Sequence, residues 1–309
     1  MRYTASANRF LWYLFIPFLV IFYISFIFWS DRNYSNNPVQ EVINNKQQDV
    51  NSLASIDGII LGGSNAWYGI SAKSLSTLSN LTWVNLTLLS EGYSDINYAN
   101  FISNSLSDVK RLDVSFVVYS SSTSSRSIAQ RRSTSINLVG KRKISYKPQR
   151  ALASYMKSFL GYSEDVEYPV TDEYGDFDFS NYDCKPLVLE PSPANSRDYL
   201  DEADLRIWTP KQLARISELF PNATIIITVP NGFNKKETNN DARSNVIKSL
   251  EIILLEHQSS GKRPVYLINQ EPYPSSDLMC NDDWHVNEDG REWRTNMLFQ
   301  LIKDQLLKK

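Results

Sequence analysis

The chain has 309 residues, with 32 Lys and Arg against 34 Asp and Glu and a formal net charge of −2. That balance carries no basic footprint for nucleic acid, and 42% hydrophobic residues suffice for a sizeable core. With two histidines and no His pair, and with Asp282, Asp283 and Glu288 crowded together, no set of metal ligands is expected, and no cofactor fingerprint is present.

Residues 1–9 carry Arg2 and Arg9, and 10–29 is almost wholly apolar. At ~1.5 Å per residue such a run reaches ~30 Å, enough to cross a bilayer core. The positive-inside tendency puts 1–9 in the cytoplasm and the rest across the membrane. A cleaved signal peptide is the rival, but the run is long and ends in Phe26-Ile27-Phe28-Trp29, a poor cleavage site. The reading is an uncleaved signal-anchor: a single-pass protein whose C-terminal domain is extracytoplasmic, in a bacterial periplasm or at the cell surface. Residues 30–55 are polar and Asn/Gln/Ser-rich, a linker with room for one short helix. Residues 56–309 suit one large domain. An exported domain can join Cys184 to Cys280, though sequence only permits that pair.

Ile56–Leu61 holds the first strand, and a helix is predicted at 70–79. Trp83–Leu86 is a second strand, followed by a helix that Ser94 or Asp95 can cap and that carries Ile96, Ala99, Ile102 and Leu106. Val114–Tyr119 is the third strand. Thr209-Pro210 predicts a helix start, with proline at the first helical position. Thr224–Val229, a helix over 241–257, Val265–Ile268 and a helix over 289–307 complete the pattern. Five alternations of strand and helix argue an α/β fold with a mostly parallel sheet, whose ligands sit beyond the carboxyl ends of the strands. Residues 120–208 interrupt it as a charge-segregated insert, basic from Arg126 to Arg150 and acidic from Glu164 to Asp183. A solvated lid is the favoured reading; a basic surface for an anionic glycan or anionic lipid headgroups is the alternative.

Two stretches carry chemistry. Ile59-Ile60-Leu61-Gly62-Gly63-Ser64-Asn65 raises a serine at a strand-to-helix turn that glycines let bend tightly. Near the other end stands Asp282-Asp283-Trp284-His285-Val286-Asn287-Glu288-Asp289-Gly290. A nucleophilic serine needs a base of near-neutral pKa, and the base needs a partner that fixes its tautomer. His257, at a helix end, reads as structural. His285 lies in a polar loop beside carboxylates, with Asp282 three residues before it and Asp283 the weaker candidate.

These blocks, with Gly92 after the second strand, resemble the SGNH (GDSL-type) hydrolase superfamily over about 56–120 and 220–305. The resemblance implies a flavodoxin-like, doubly wound five-stranded sheet, Ser64 as nucleophile, His285 as base and Asp282 as orienting group. It implies an oxyanion hole from the backbone N–H groups of Ser64 and Gly92. The first block reads Gly-Gly-Ser-Asn rather than Gly-Asp-Ser. The third block, where the family carries an asparagine, reads Ser120-Ser121-Ser122-Thr123. A serine hydroxyl can substitute there, or activity is slow or absent.

The layout is more similar still to membrane-anchored members that modify cell-envelope polymers. That implies an acyl group on an extracytoplasmic envelope polysaccharide as substrate, an acyl donor, and a multi-span membrane acyltransferase as partner. The chain is then an O-acetyltransferase or esterase; the alternative is a non-catalytic envelope protein that keeps the fold to bind polymer or that partner.

Overall fold

The computed structural model describes residues 38–88, 101–103, 105–120, 171–180, 182, 184, 202–229, 237–259, 265–268, 275–280 and 285–306, with 17, 21–23 and 25. Contacts divide the chain into two units, 1–41 with 145–168, and 42–144 with 169–309. In the first unit Pro17, Ile21, Phe22, Tyr23 and Ser25 are helical, and the rest of 10–29 lies outside the described residues. Among the described residues no helix is long and apolar enough to cross a membrane.

The second unit is built on five short strands: β1 (Gly58–Leu61), β2 (Trp83–Asn85), β3 (Phe116–Ser120), β4 (Thr224–Thr228) and β5 (Val265–Ile268). All pair in parallel, in the order β2-β1-β3-β4-β5, with Leu61 beside Tyr119 and Ser120 beside Thr228. A sheet covered on both faces needs continuous apolar strands, and β1, with Ile59, Ile60 and Leu61 all buried, meets that need. Five parallel strands in this order make a flavodoxin-like, doubly wound sheet.

The helices are α1 (Pro38–Ser52), α2 (Ser64–Gly69), α3 (Ala72–Ser79), α4 (Asp108–Asp113), α5 (Glu202–Leu219), α6 (Glu237–Ser259) and α7 (Glu288–Leu306). Three differ from expectation. In the stretch expected as a linker, α1 buries Val42, Ile43, Lys46 and Val50. The helix predicted over 70–79 is two helices: α2 starts at Ser64, and α3 starts afresh where the Ser71 hydroxyl accepts from Ser74 N–H. α5 does not start at Pro210 but runs through it from Glu202. Leu205 packs against Val229, Val246 and Leu250, and that burial offsets the hydrogen bond that proline removes. In the helix expected after Asp95, 101–103 and 105 are helical, with Phe101, Ile102 and Leu106 buried; 89–100 lies outside the described residues.

Residues 121–170 of the insert also lie outside. The described part after it is no solvated lid: Asp176 and Phe177 are buried, and Lys46 and Asn85 bond to this segment.

Candidate active site

At the end of β1 the chain must turn sharply under a short helix. Gly62 has φ +151°, and a Cβ there would stand 2.7 Å from the Ala66 Cβ and 3.0 Å from that of Ser120. Only glycine meets both demands. Gly63 caps α2, its carbonyl accepting from Ala66 N–H at 3.0 Å and Trp67 N–H at 3.1 Å. Ser64 therefore opens a rigid turn, partly exposed above buried Ala66 and Trp67.

The loop before α7 brings the histidine to it. Cys280 N–H donates to the His285 carbonyl at 2.8 Å, Met279 bridges Val286, and Asn287 N–H donates to Leu278 C=O at 2.9 Å. The Asn287 side chain then accepts from Gly290 N–H at 2.8 Å, starting α7. A Cβ at Gly290 would overlap the Leu278 carbonyl, so the glycine lets loop and helix close up. Held in this way, His285 places Nε2 2.9 Å from Ser64 Oγ, across 221 residues of sequence. Its ring lies 4.7 Å from that of Tyr68.

The pair is the arrangement an activated serine needs: a hydroxyl whose proton a neighbouring imidazole can take. Asp282, Asp283 and Gly92 lie outside the described residues. Ser120, first of the serines standing where the family's asparagine is expected, ends β3 with its Oγ buried and without a partner among the described residues. His257 lies in the last turn of α6, buried, as its structural reading expects.

Two features escaped sequence reasoning, and a third, the disulfide, was only permitted by it. Arg294, 1% exposed, donates from Nη1 to the carbonyl and Oδ1 of Asn65, the residue after Ser64, at 2.9 and 2.7 Å. Cys184 and Cys280 form a disulfide, Cα to Cα 5.1 Å, tying the 171–184 segment of the insert to the histidine loop. That segment lays Phe177, Phe179 and Tyr182 against Tyr68, at 4.3, 6.0 and 5.8 Å between ring centres. Tyr182 is 38% exposed. Regular spacing of aromatics marks helices and strands, and this segment is neither, so periodicity gave no signal.

A second polar cluster lies behind α2. Asp176, fully buried, accepts from the Ser71 hydroxyl, the Ala72 and Lys73 N–H groups and Asn85 Nδ2 at 2.8–3.1 Å. Lys46 donates to the carbonyls of Asn85 and Gly175 at 2.7 and 2.6 Å. Burial lowers its pKa from 10.5 to about 7, against the opposing charges of Asp176, Asp172 and Asp49. Burial and the Asp176 charge raise Asp172 to about 6.

Neither a protein-family model nor a curated protein sequence matches the chain. Solved structures do show likeness. A family two carbohydrate esterase from Clostridium thermocellum, in complex with cellohexaose, is 12% identical with a TM-score of 0.44 over 82% of this chain and 66% of its own. The salicylyl-acyltransferase SsfX3 of a tetracycline biosynthetic pathway is 10% identical with a TM-score of 0.44, over 83% and 56%. The acetyl xylan esterase Est2A from the rumen bacterium Butyrivibrio proteoclasticus is 9% identical with a TM-score of 0.41, over 82% and 65%. The chain thus spans less than two thirds of each of these proteins.

Proposed function

We propose that the protein is an SGNH-like serine acyl-transfer enzyme, an esterase or O-acetyltransferase, acting on an extracytoplasmic cell-envelope polysaccharide. The observation that carries the reading is the 2.9 Å contact of His285 Nε2 with Ser64 Oγ. His285 takes the serine proton as Oγ attacks the ester carbonyl. The ester C–O bond then breaks, and the imidazolium returns the proton to the departing oxygen. Water or a sugar hydroxyl, deprotonated by the same imidazole, releases the acyl group from Ser64. Asp282 is proposed to hold the His285 tautomer, and the Ser64 and Gly92 N–H groups to receive the oxyanion.

The polysaccharide part of the reading draws on Tyr182. Its partly exposed ring is two ring-to-ring steps, 5.8 and 4.7 Å, from His285 through Tyr68. A rigid aromatic face with a polar tip suits the apolar face and hydroxyls of a pyranose. The N-terminal anchor and a multi-span membrane acyltransferase as partner belong to the same proposal. They rest on the apolar run 10–29 and the resemblance.

The second reading, a non-catalytic protein that binds polymer or partner, is favoured by Ser120 where the resembled family carries an asparagine. A fluorophosphonate that traps activated serines separates the two. Labelling of the full chain, lost in Ser64→Ala and His285→Ala, is the expected result. A folded wild-type chain that stays unlabelled favours the binding protein.

A further inference from the structure

We propose that Arg294 is a positioning residue that sets the distance between Ser64 and His285. The inference rests on the acyl-transfer reading, because the distance matters only if a proton crosses it. Proton transfer needs the two heavy atoms within hydrogen-bond reach, and a shift of 1 Å can cost roughly a hundredfold in rate. Ser64 and His285 come from opposite ends of the domain's sequence, so some element must tie their supports together.

That element is α7. It begins three residues after His285, and the Asn287 side chain couples the histidine loop to its first turn. Arg294 lies further along the same helix and grips the turn that carries the nucleophile. It holds both the main-chain and side-chain oxygens of Asn65. Its Nη2 reaches the Val229 carbonyl, just past β4, at 3.5 Å. Gly69 makes the room, since a Cβ there would overlap Arg294 Nη1. On the same helix, Thr295 Oγ1 accepts from Ser71 N–H at 2.9 Å, and Glu292 accepts from the Ser74 hydroxyl at 2.7 and 2.8 Å. One rigid helix therefore carries the base at its head and a clamp for the nucleophile's neighbour in its body.

A guanidinium is costly to bury, and packing alone is met as well by apolar side chains. What it supplies here is several directed donors on one planar group. Lysine, a point charge on a flexible stem, does not reproduce that geometry.

The test exploits the chain's two histidines. With 15N-histidine in the full chain, His285 reports the site and His257, in α6, reports the fold. Arg294→Lys and Arg294→Gln are compared with wild type and with Ser64→Ala, in which the contact is absent. The expected result is that the His285 ring signals of both Arg294 variants move toward their Ser64→Ala positions while those of His257 stay. Fluorophosphonate labelling slows by roughly tenfold to a hundredfold, with the concentration dependence of labelling little changed. In a cycle with Asn65→Ala, the two changes together slow labelling no more than the worse one alone. His285 signals at wild-type positions, with labelling falling only in proportion to the folded fraction, would overturn the proposal. An unlabelled wild type removes the acyl-transfer reading, while the His285 signals still decide whether Arg294 sets the pair.

Discussion

Two polar clusters flank adjacent residues of one short helix. Tyr68 faces the Ser64–His285 pair, its ring 4.7 Å from the imidazole. Trp67 meets the buried cluster, with the Lys46 ammonium 5.1 Å from its ring centre. Both clusters engage an ionisable side chain in hydrogen bonds, yet they are built on opposite terms. Lys46, Asn85 and Asp176 are at most 1% exposed, and Asp176 alone accepts four hydrogen bonds, from α3, β2 and the turn between α2 and α3. Ser64 and His285 stay partly exposed, where a substrate can arrive. Burial with saturated bonding fixes structure, whereas partial exposure with a poised proton supports chemistry.

If that division is right, the largest effects on labelling come from the exposed pair. Ser64→Ala and His285→Ala should each slow fluorophosphonate labelling by about a thousandfold or more, with thermal stability almost unchanged. A large loss of stability in either variant would mean that this pair too is structural.

The buried cluster should behave in the reverse way. Asp176→Asn puts an amide where the carboxylate meets four donors and the Lys46 charge, and should cost about 3–5 kcal/mol of folding stability in denaturant titrations. Labelling per folded molecule should hold. A folded Asp176→Asn chain that no longer labels would break the comparison and join the clusters into one functional unit.

The Cys184–Cys280 disulfide bridges the two categories. It closes a separation of 96 residues and ends beside the histidine loop. Replacing both cysteines by serine should cost about 2–4 kcal/mol of stability. A fall in labelling beyond the unfolded fraction would show that the bridge also holds His285. A smaller effect is expected at Tyr182: Tyr182→Ala should raise KM for an acetylated oligosaccharide and leave hydrolysis of a small aryl acetate alone. Equal losses on both would make Tyr182 a support for the fold.

The sheet and the Ser64–His285 pair were legible because their signals are local. Short apolar runs between glycines and turns gave all five strands, and scarcity of histidine pointed to His285. What escaped depends on distant partners. Lys46 reads as linker and Asp176 as one acid among many, since the partners of Lys46 lie 39 and 129 residues away. In α7, Leu298 is buried against Ala66, Ala72 and Leu75, as an apolar residue should be, but the polar Arg291, Arg294 and Thr295 are buried on the same helix toward α2, α3 and the 171–184 segment. A polar residue buried against a main-chain carbonyl leaves no trace in hydropathy. Pro210 misled because propensity describes an isolated helix, while α5 is held by packing.

The finest test of the comparison is the pH dependence of the buried cluster. Lys46 has a folded pKa of about 7 against 10.5 for the free side chain. Below pH 7 both folded and unfolded chains hold the proton, and the cost of burying it is felt in full. Between about 7 and 10.5 the unfolded chain keeps a proton that the folded chain has released, so stability rises with pH. The slope is at most about 1.4 kcal/mol per pH unit. Asp172, raised to about 6, acts in a separate window: stability falls as pH rises from its ordinary 3.8 toward 6. Denaturant titrations of wild type and Lys46→Met between pH 7 and 9 isolate the lysine. The wild type should gain on the variant across that range. A constant difference would mean that Lys46 stays protonated beside Asp176. The buried cluster would then hold a transferable proton of its own, and solvent access alone would separate the structural cluster from the reactive one.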